Sequence, residues 1–184
     1  MLTKRYVLIA ASALALAACG QQATTETAET PQTDQPVTQQ AAMSAADFIQ
    51  TVATSDAFEI QSSELAAQRG ARQDVKDFAA QMVTAHRQTT QELTQLTTAN
   101  SLSAPTPQLN ATQQASLDNL RGRNGEGFDD AYLDAQDAAH ENAVRTFEQY
   151  ASAGEAGPLR DWAQRTLPGL RQHLEHAQGL ENAT

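Results

Sequence analysis

The sequence predicts an all-α protein, a four-helix bundle built from two helical hairpins joined by a long crossover that carries a short helix. Three observations predict it. Apolar residues recur at three- and four-residue spacing in four long stretches after Ser44. Helix-stopping residues cluster between those stretches, at Gly70, at Pro105 and Pro107, at Gly122, Gly125 and Gly127, and at Gly154 and Gly157. The middle link is about 27 residues long, whereas a plain up-down-up-down bundle needs only a short one there. No alternating strand pattern competes.

Each helix has its own signals. Ser44-x-x-Asp47 is an N-terminal capping pattern, and Phe48, Ile49, Val52, Ala53, Ala57 and Ile60 follow on one face. Gly70 ends this first helix and is expected to be a left-handed cap. A second helix, from about Arg72 to Ala99, turns Val75, Phe78, Ala79, Met82, His86, Leu93 and Leu96 inward. Asn110-x-x-Gln113 caps a short helix that runs to about Arg121. The third long helix, from about Phe128 to Ala153, carries Tyr132, Leu133, Ala139, His140, Ala143, Val144 and Phe147. Pro158 suits the first turn of the last helix, with its stripe of Leu159, Trp162, Ala163, Leu167, Leu170, Leu174 and Ala177. Pro168 lies inside that helix and is expected to kink it, because proline lacks a backbone donor.

The amino terminus carries an address. Lys4 and Arg5 precede an apolar run from Tyr6 to Leu16 that is shorter than the roughly 20 residues a membrane span needs. The run closes on Leu16-Ala17-Ala18-Cys19, which resembles the lipobox of bacterial lipoprotein precursors. That resemblance implies a lipoprotein signal peptide over residues 1–18, lipidation of Cys19, and a new acylated amino terminus. Several acyl chains, at about 0.8 kcal/mol per buried methylene, anchor a protein stably where one does not. Gly20, where an acid would stand otherwise, implies passage to the outer membrane, facing the periplasm. Cys19 is the only cysteine, so once it is lipidated neither a disulfide nor a thiol nucleophile remains.

Residues 19–43 hold Gln, Thr, Ala, Glu and Pro with almost no large apolar side chain, and are expected to form a disordered tether with a reach of about 25–30 Å. The bundle is assigned to residues 44–184. The formal charge is −10, and removal of residues 1–18, which takes Lys4 and Arg5 and no acid, makes it −12. Such a chain, without basic clusters, is a poor ligand for nucleic acid or anionic headgroups, so membrane contact is assigned to the lipid anchor.

Candidate chemistry centres on the histidines. Three of the four, His86, His140 and His173, occupy apolar stripes of different long helices. At 1.5 Å per residue, His86 and His140 each lie roughly 20 Å from their helix starts, and His173 falls within about a turn of that level. Asp56 and Glu59 of the first helix sit near it too. Glu59, His86, His140 and His173 are therefore the candidate ligands of one transition metal ion (Zn, Fe, Mn or Cu). Asp56, Asp137 and His176 are candidate supporting residues, Asp137 standing at i−3 of His140. The competing reading is a hydrogen-bonded polar cluster without a metal. Phosphate loops, nucleophile elbows, Cys pairs and His-Glu-x-x-His are missing from the chain.

Asp47-Phe48 through Glu59 and Leu65-Ala66, then Val75-Lys76-Asp77-Phe78-Ala79, Met82-Val83 and His86, resemble the bacterial family called domain of unknown function 4142. Phe128-Asp129, Tyr132, His140, Leu167-Pro168 and His173-Leu174 match its second half, so the resemblance spans about residues 44–181. It implies an exported, often lipidated protein with a ferritin-like bundle, and brings no established activity. Di-iron members of the ferritin-like class use Glu on two helices and Glu-x-x-His on the other two. Here Val83 and Leu170 stand at i−3 of His86 and His173, and Ala85 replaces the acid the family commonly has before the second-helix histidine. A di-iron centre is therefore not expected. The sequence points first to a non-enzymatic, lipid-anchored binding or envelope-stress module, and second to a metal-binding redox or metal-scavenging protein, in which case any enzyme would be a metal-dependent oxidoreductase. A protein partner or self-association is left open.

Overall fold

The computed structural model describes residues 42–183; the signal peptide, Cys19 and most of the tether expected from the sequence lie outside them. The described residues form five helices: α1 (Ala45–Arg69), α2 (Gln73–Ala99), α3 (Ala111–Arg121), α4 (Glu126–Ala153) and α5 (Pro158–Glu181). No strand occurs among them. None of these helices is long and apolar enough to cross a membrane.

The topology follows from what the helix ends touch. The amide of Gly125, which caps α4, donates to the Arg69 carbonyl at the end of α1 at 2.9 Å, so α4 begins beside the α1–α2 turn. At that same end Arg72 reaches the Leu180 carbonyl of α5 at 3.1 Å. At the opposite end, Phe48 of α1 stacks on Tyr150 of α4 at 4.1 Å, and Trp162 of α5 donates to Glu92 of α2 at 2.8 Å. Hence α1 and α2 form one antiparallel hairpin and α4 and α5 the other, while residues 100–121 travel the length of the bundle between them. This is the long crossover of a ferritin-like bundle. The crossover lies over the α1–α4 face, with α3 packed on both helices.

Local signals explain the boundaries. Ser44 Oγ accepts from the Asp47 amide at 3.1 Å, starting α1. Asn110 and Gln113 form a reciprocal capping box on α3. Pro158 occupies the first turn of α5, where its missing donor costs nothing. One expectation needs correction. Gly70 is not left-handed: its φ and ψ are −63° and 151°. Glycine is needed there for a close approach, since a Cβ would stand 2.7 Å from Asp129 Oδ1. That buried carboxylate accepts the amides of Ala71 and Arg72 and so holds the turn. Pro168 lies inside α5, which continues through it as one helix. The proline is exposed, as is Gln164, so the carbonyl that loses its donor faces solvent.

The core is divided. One apolar cluster, around Phe78, Phe128, Tyr132, Leu117 and Leu120, fills the end near the α1–α2 turn. A second, around Phe48, Leu93, Phe147, Tyr150 and Trp162, fills the other. Buried side chains of this size contribute about 1.5–3 kcal/mol each. Between the clusters, every long helix turns a polar residue inward.

Candidate metal centre

The belt between the clusters is built one helix at a time. α1 contributes Asp56 and Glu59, one turn apart and both buried. α2 contributes His86, α4 contributes Gln136 and His140, and α5 contributes His173, which is half-buried. His86 and His140 are only 3% and 1% exposed, so their imidazoles are out of reach of bulk water. The three rings form a nearly equilateral triangle, with centroids 5.5 Å (His86–His140), 6.0 Å (His86–His173) and 5.5 Å (His140–His173) apart. One ring nitrogen from each lies within 4.8 Å of those of the other two.

Hydrogen bonds orient two of the rings from behind. His140 Nδ1 is 2.9 Å from the Gln136 carbonyl oxygen, which can only accept, so Nδ1 carries the hydrogen and Nε2 keeps its lone pair. His86 Nδ1 donates to Asp56 Oδ1 at 2.9 Å, and Asp56 Oδ2 accepts from Thr90 Oγ at 3.0 Å. Among the ring nitrogens, His86 Nε2, His140 Nε2 and His173 Nδ1 are left buried without a partner. An unpaired buried polar atom costs about 1–3 kcal/mol, so three in one place require an explanation.

Electrostatics favour the neutral form of two of the three rings. Burial, aided by the charge of His86, pushes His140 down to about 3. Burial and His86 push His173 down to about 4. Burial pulls His86 down too, but the hydrogen bond to Asp56 and the charges of Glu59 and Asp56 outweigh it and raise its pKa. Burial thus holds His140 and His173 neutral near pH 7.

Glu59 stands beside this triangle. Its Oε1 is 3.9 Å from His140 Nδ1, and neither carboxylate oxygen makes a well-formed hydrogen bond. Burial raises its pKa to about 7, partly offset by the charge on His86 and by the neighbouring Gln136 side-chain amide. With His140 neutral at that pH, the contact is not an ion pair. Asp56 is placed as a supporting residue for His86. Asp137 instead accepts from Gln178 Nε2 of α5 at 2.7 Å and makes no hydrogen bond to His140. His176 is exposed, its ring edge-on to Phe78 at 5.0 Å, outside the triangle. Sequence reasoning missed Thr90 and Gln136, although each stands four residues from a stripe histidine, Thr90 after His86 and Gln136 before His140. It also missed the polar floor below Glu59, where Gln136 donates to Ser62 at 3.2 Å and Ser63 pairs with the Tyr132 hydroxyl at 2.8 Å.

Imidazoles from three helices suit Zn, Cu, Fe or Ni. A metal–nitrogen distance of about 2.0–2.1 Å sets ligand nitrogens roughly 3.3 Å apart in a tetrahedron, so closing the triangle takes ring shifts of about 1 Å. Three protein ligands leave a fourth position for an outside molecule.

Comparison with other proteins bears on the fold and the family. No curated protein is similar to the chain in sequence. Two crystal structures share the architecture. A DUF305 protein from Streptomyces coelicolor, described as secreted, aligns with a TM-score of 0.64 at 14% identity, over 76% of this chain and 92% of its own. A DUF305 fragment from Deinococcus radiodurans aligns with a TM-score of 0.67 at 13% identity, over 76% of this chain and 95% of its own. At such identities the likeness is one of fold. The profile of the domain of unknown function DUF4142 matches residues 20–180, nearly all of the bundle and the segment before it, and the chain belongs to that family.

Proposed function

We propose that this protein is a metal-binding module of the cell envelope, holding one transition metal ion through His86, His140 and His173. The observation that carries the proposal is the convergence of three ring nitrogens to within 4.8 Å in the bundle interior. Their buried ring nitrogens without a hydrogen-bond partner support it. Asp56 and the Gln136 carbonyl act as the outer partners that commonly fix the tautomers of metal-bound histidines. Glu59 is assigned a charge-balancing role at the edge of the site. The reading favours metal scavenging or redox service over a module without metal.

The test is elemental analysis of the untagged full chain, purified without chelators. The expected result is one equivalent of a transition metal, lost on His140→Ala with helicity retained. A folded, metal-free protein that takes up no Zn(II), Cu(II) or Fe(II) on titration makes the histidines structural, and points back to partner binding.

The envelope location rests on the lipobox-like Leu16-Ala17-Ala18-Cys19. The secreted description of one structural relative agrees with it. We assign the protein to the periplasmic side of the outer membrane, held by acyl chains on Cys19, with no nucleic-acid partner. Cys19→Ser is expected to move it from the membrane to the soluble fraction of cells. Retention in the membrane with unchanged processing would count against the anchor.

A further inference from the structure

A cavity of about 710 Å³ opens between α1, α4 and the crossover. That is within the usual range for small-molecule sites. It lies one helical turn beyond the histidine triangle on three helices: Thr89 stands three residues past His86, Ala143 three past His140, and Leu170 three before His173. Its base is Asp56 and His86.

The roof is held deliberately. Gln50 Nε2 donates to the Thr106 carbonyl at 2.9 Å, and Gln50 Oε1 accepts from the Thr106 amide at 3.3 Å, so one side chain pins the crossover over the cavity mouth. The lining has an unusual chemistry for so acidic a protein. No lysine or arginine lines it, so an anion would find no countercharge. Its one carboxylate, Asp56, is committed to His86 and Thr90, so a cation would find no free acid. Ser55, Gln108 and Thr146 instead present hydroxyl and amide groups that make no side-chain hydrogen bond among the described residues. Val52, Phe147 and Leu170 add an apolar wall.

We infer that this cavity binds an uncharged small molecule rich in hydroxyl or amide groups, with an apolar face against Phe147. The cavity borders the metal triangle through His86, but its hydroxyl, amide and apolar lining is complete without a metal.

N-acetylglucosamine, an uncharged ring bearing hydroxyls and an amide, is a suitable probe. Glucosamine and N-acetylglucosamine 6-phosphate supply its cationic and anionic counterparts. Binding of each to the full chain is followed by saturation-transfer NMR, with and without chelator. The expected result is saturable binding of the neutral sugar, at least tenfold weaker binding of both charged ones, and no change on chelation. Ala143→Phe, which fills the cavity, should abolish binding. Thr146→Val, which keeps the volume and removes a hydroxyl, should weaken it severalfold and decides the matter if the larger substitution unfolds the chain. No saturable binding of the neutral sugar, equal binding of the phosphate, or binding untouched by both substitutions would overturn the inference. Failure to bind metal with sugar binding intact would remove the metal proposal alone.

Discussion

Glu59 is the residue whose environment most opposes its ordinary chemistry. It is 1% exposed, has no well-formed hydrogen bond on either oxygen, and has its pKa raised from 4.5 to about 7. A raised carboxyl pKa contributes stability that is fully present below about 4.5 and lost as the pH rises through about 7, where the buried group must ionise. His140 and His173 act in the opposite sense. Their pKa values fall from 6.5 to about 3 and about 4, so their contribution is present above 6.5 and lost as the pH falls. The wild-type profile therefore mixes opposing slopes, and a substitution separates them. Unfolding by urea with chelator present should show Glu59→Gln gaining about 3 kcal/mol on the wild type between pH 4.5 and pH 8. An equal difference at both pH values would mean that Glu59 does not ionise in a buried site. At this scale the three inward histidines were legible, because helical periodicity alone assigns a face. The partners were not. Asp56 and Glu59 are one turn apart on the same stripe, and only the orientation of the His86 ring selects Asp56. Asp137 has the right spacing for His140, but Gln178 on the neighbouring helix competes for it.

At the scale of the element, α5 shows how position decides the cost of a rule broken. A proline in a helix interior removes a hydrogen bond and crowds the preceding turn, at about 3 kcal/mol or more. Pro168 faces solvent, so water can satisfy the freed carbonyl and α5 stays one helix from Pro158 to Glu181. Pro168→Ala should accordingly stabilise the protein by about 1–3 kcal/mol without moving His173, measured as a rise in the denaturation midpoint at unchanged urea slope. A destabilised variant would show that the proline bend is needed to seat α5 against α2. The α1–α2 turn carries the complementary lesson. Gly70 was legible as a stop, since glycine ends helices readily. Its conformation was not, because the deciding partner, Asp129, comes from the start of α4, 59 residues away, where it bonds the Ala71 and Arg72 amides.

The whole molecule places its polar belt where two hairpins meet. The proposed ligands come from α2, α4 and α5, so a bound ion would tie the hairpin of α1 and α2 to that of α4 and α5. Binding to the folded state alone adds about 2.7 kcal/mol at a hundredfold excess over the dissociation constant. For a domain of this size that is a rise in thermal midpoint of roughly 5–10 °C. Zinc should produce such a rise in the wild type and none in His173→Ala; equal rises in both would place the ion elsewhere. The sequence by itself determined the helices, the caps at Ser44 and Asn110, the crossover and the inward stripes, because these follow from local periodicity, capping side chains and where glycine and proline stand. Only the tertiary structure decided that three imidazoles meet with bare nitrogens, that Glu59 lies beside them without a well-formed hydrogen bond, and that the crossover roofs an uncharged cavity. Those features depend on how helices distant in sequence rotate against one another, and rotation is set by packing across the bundle, which no single stretch of chain encodes.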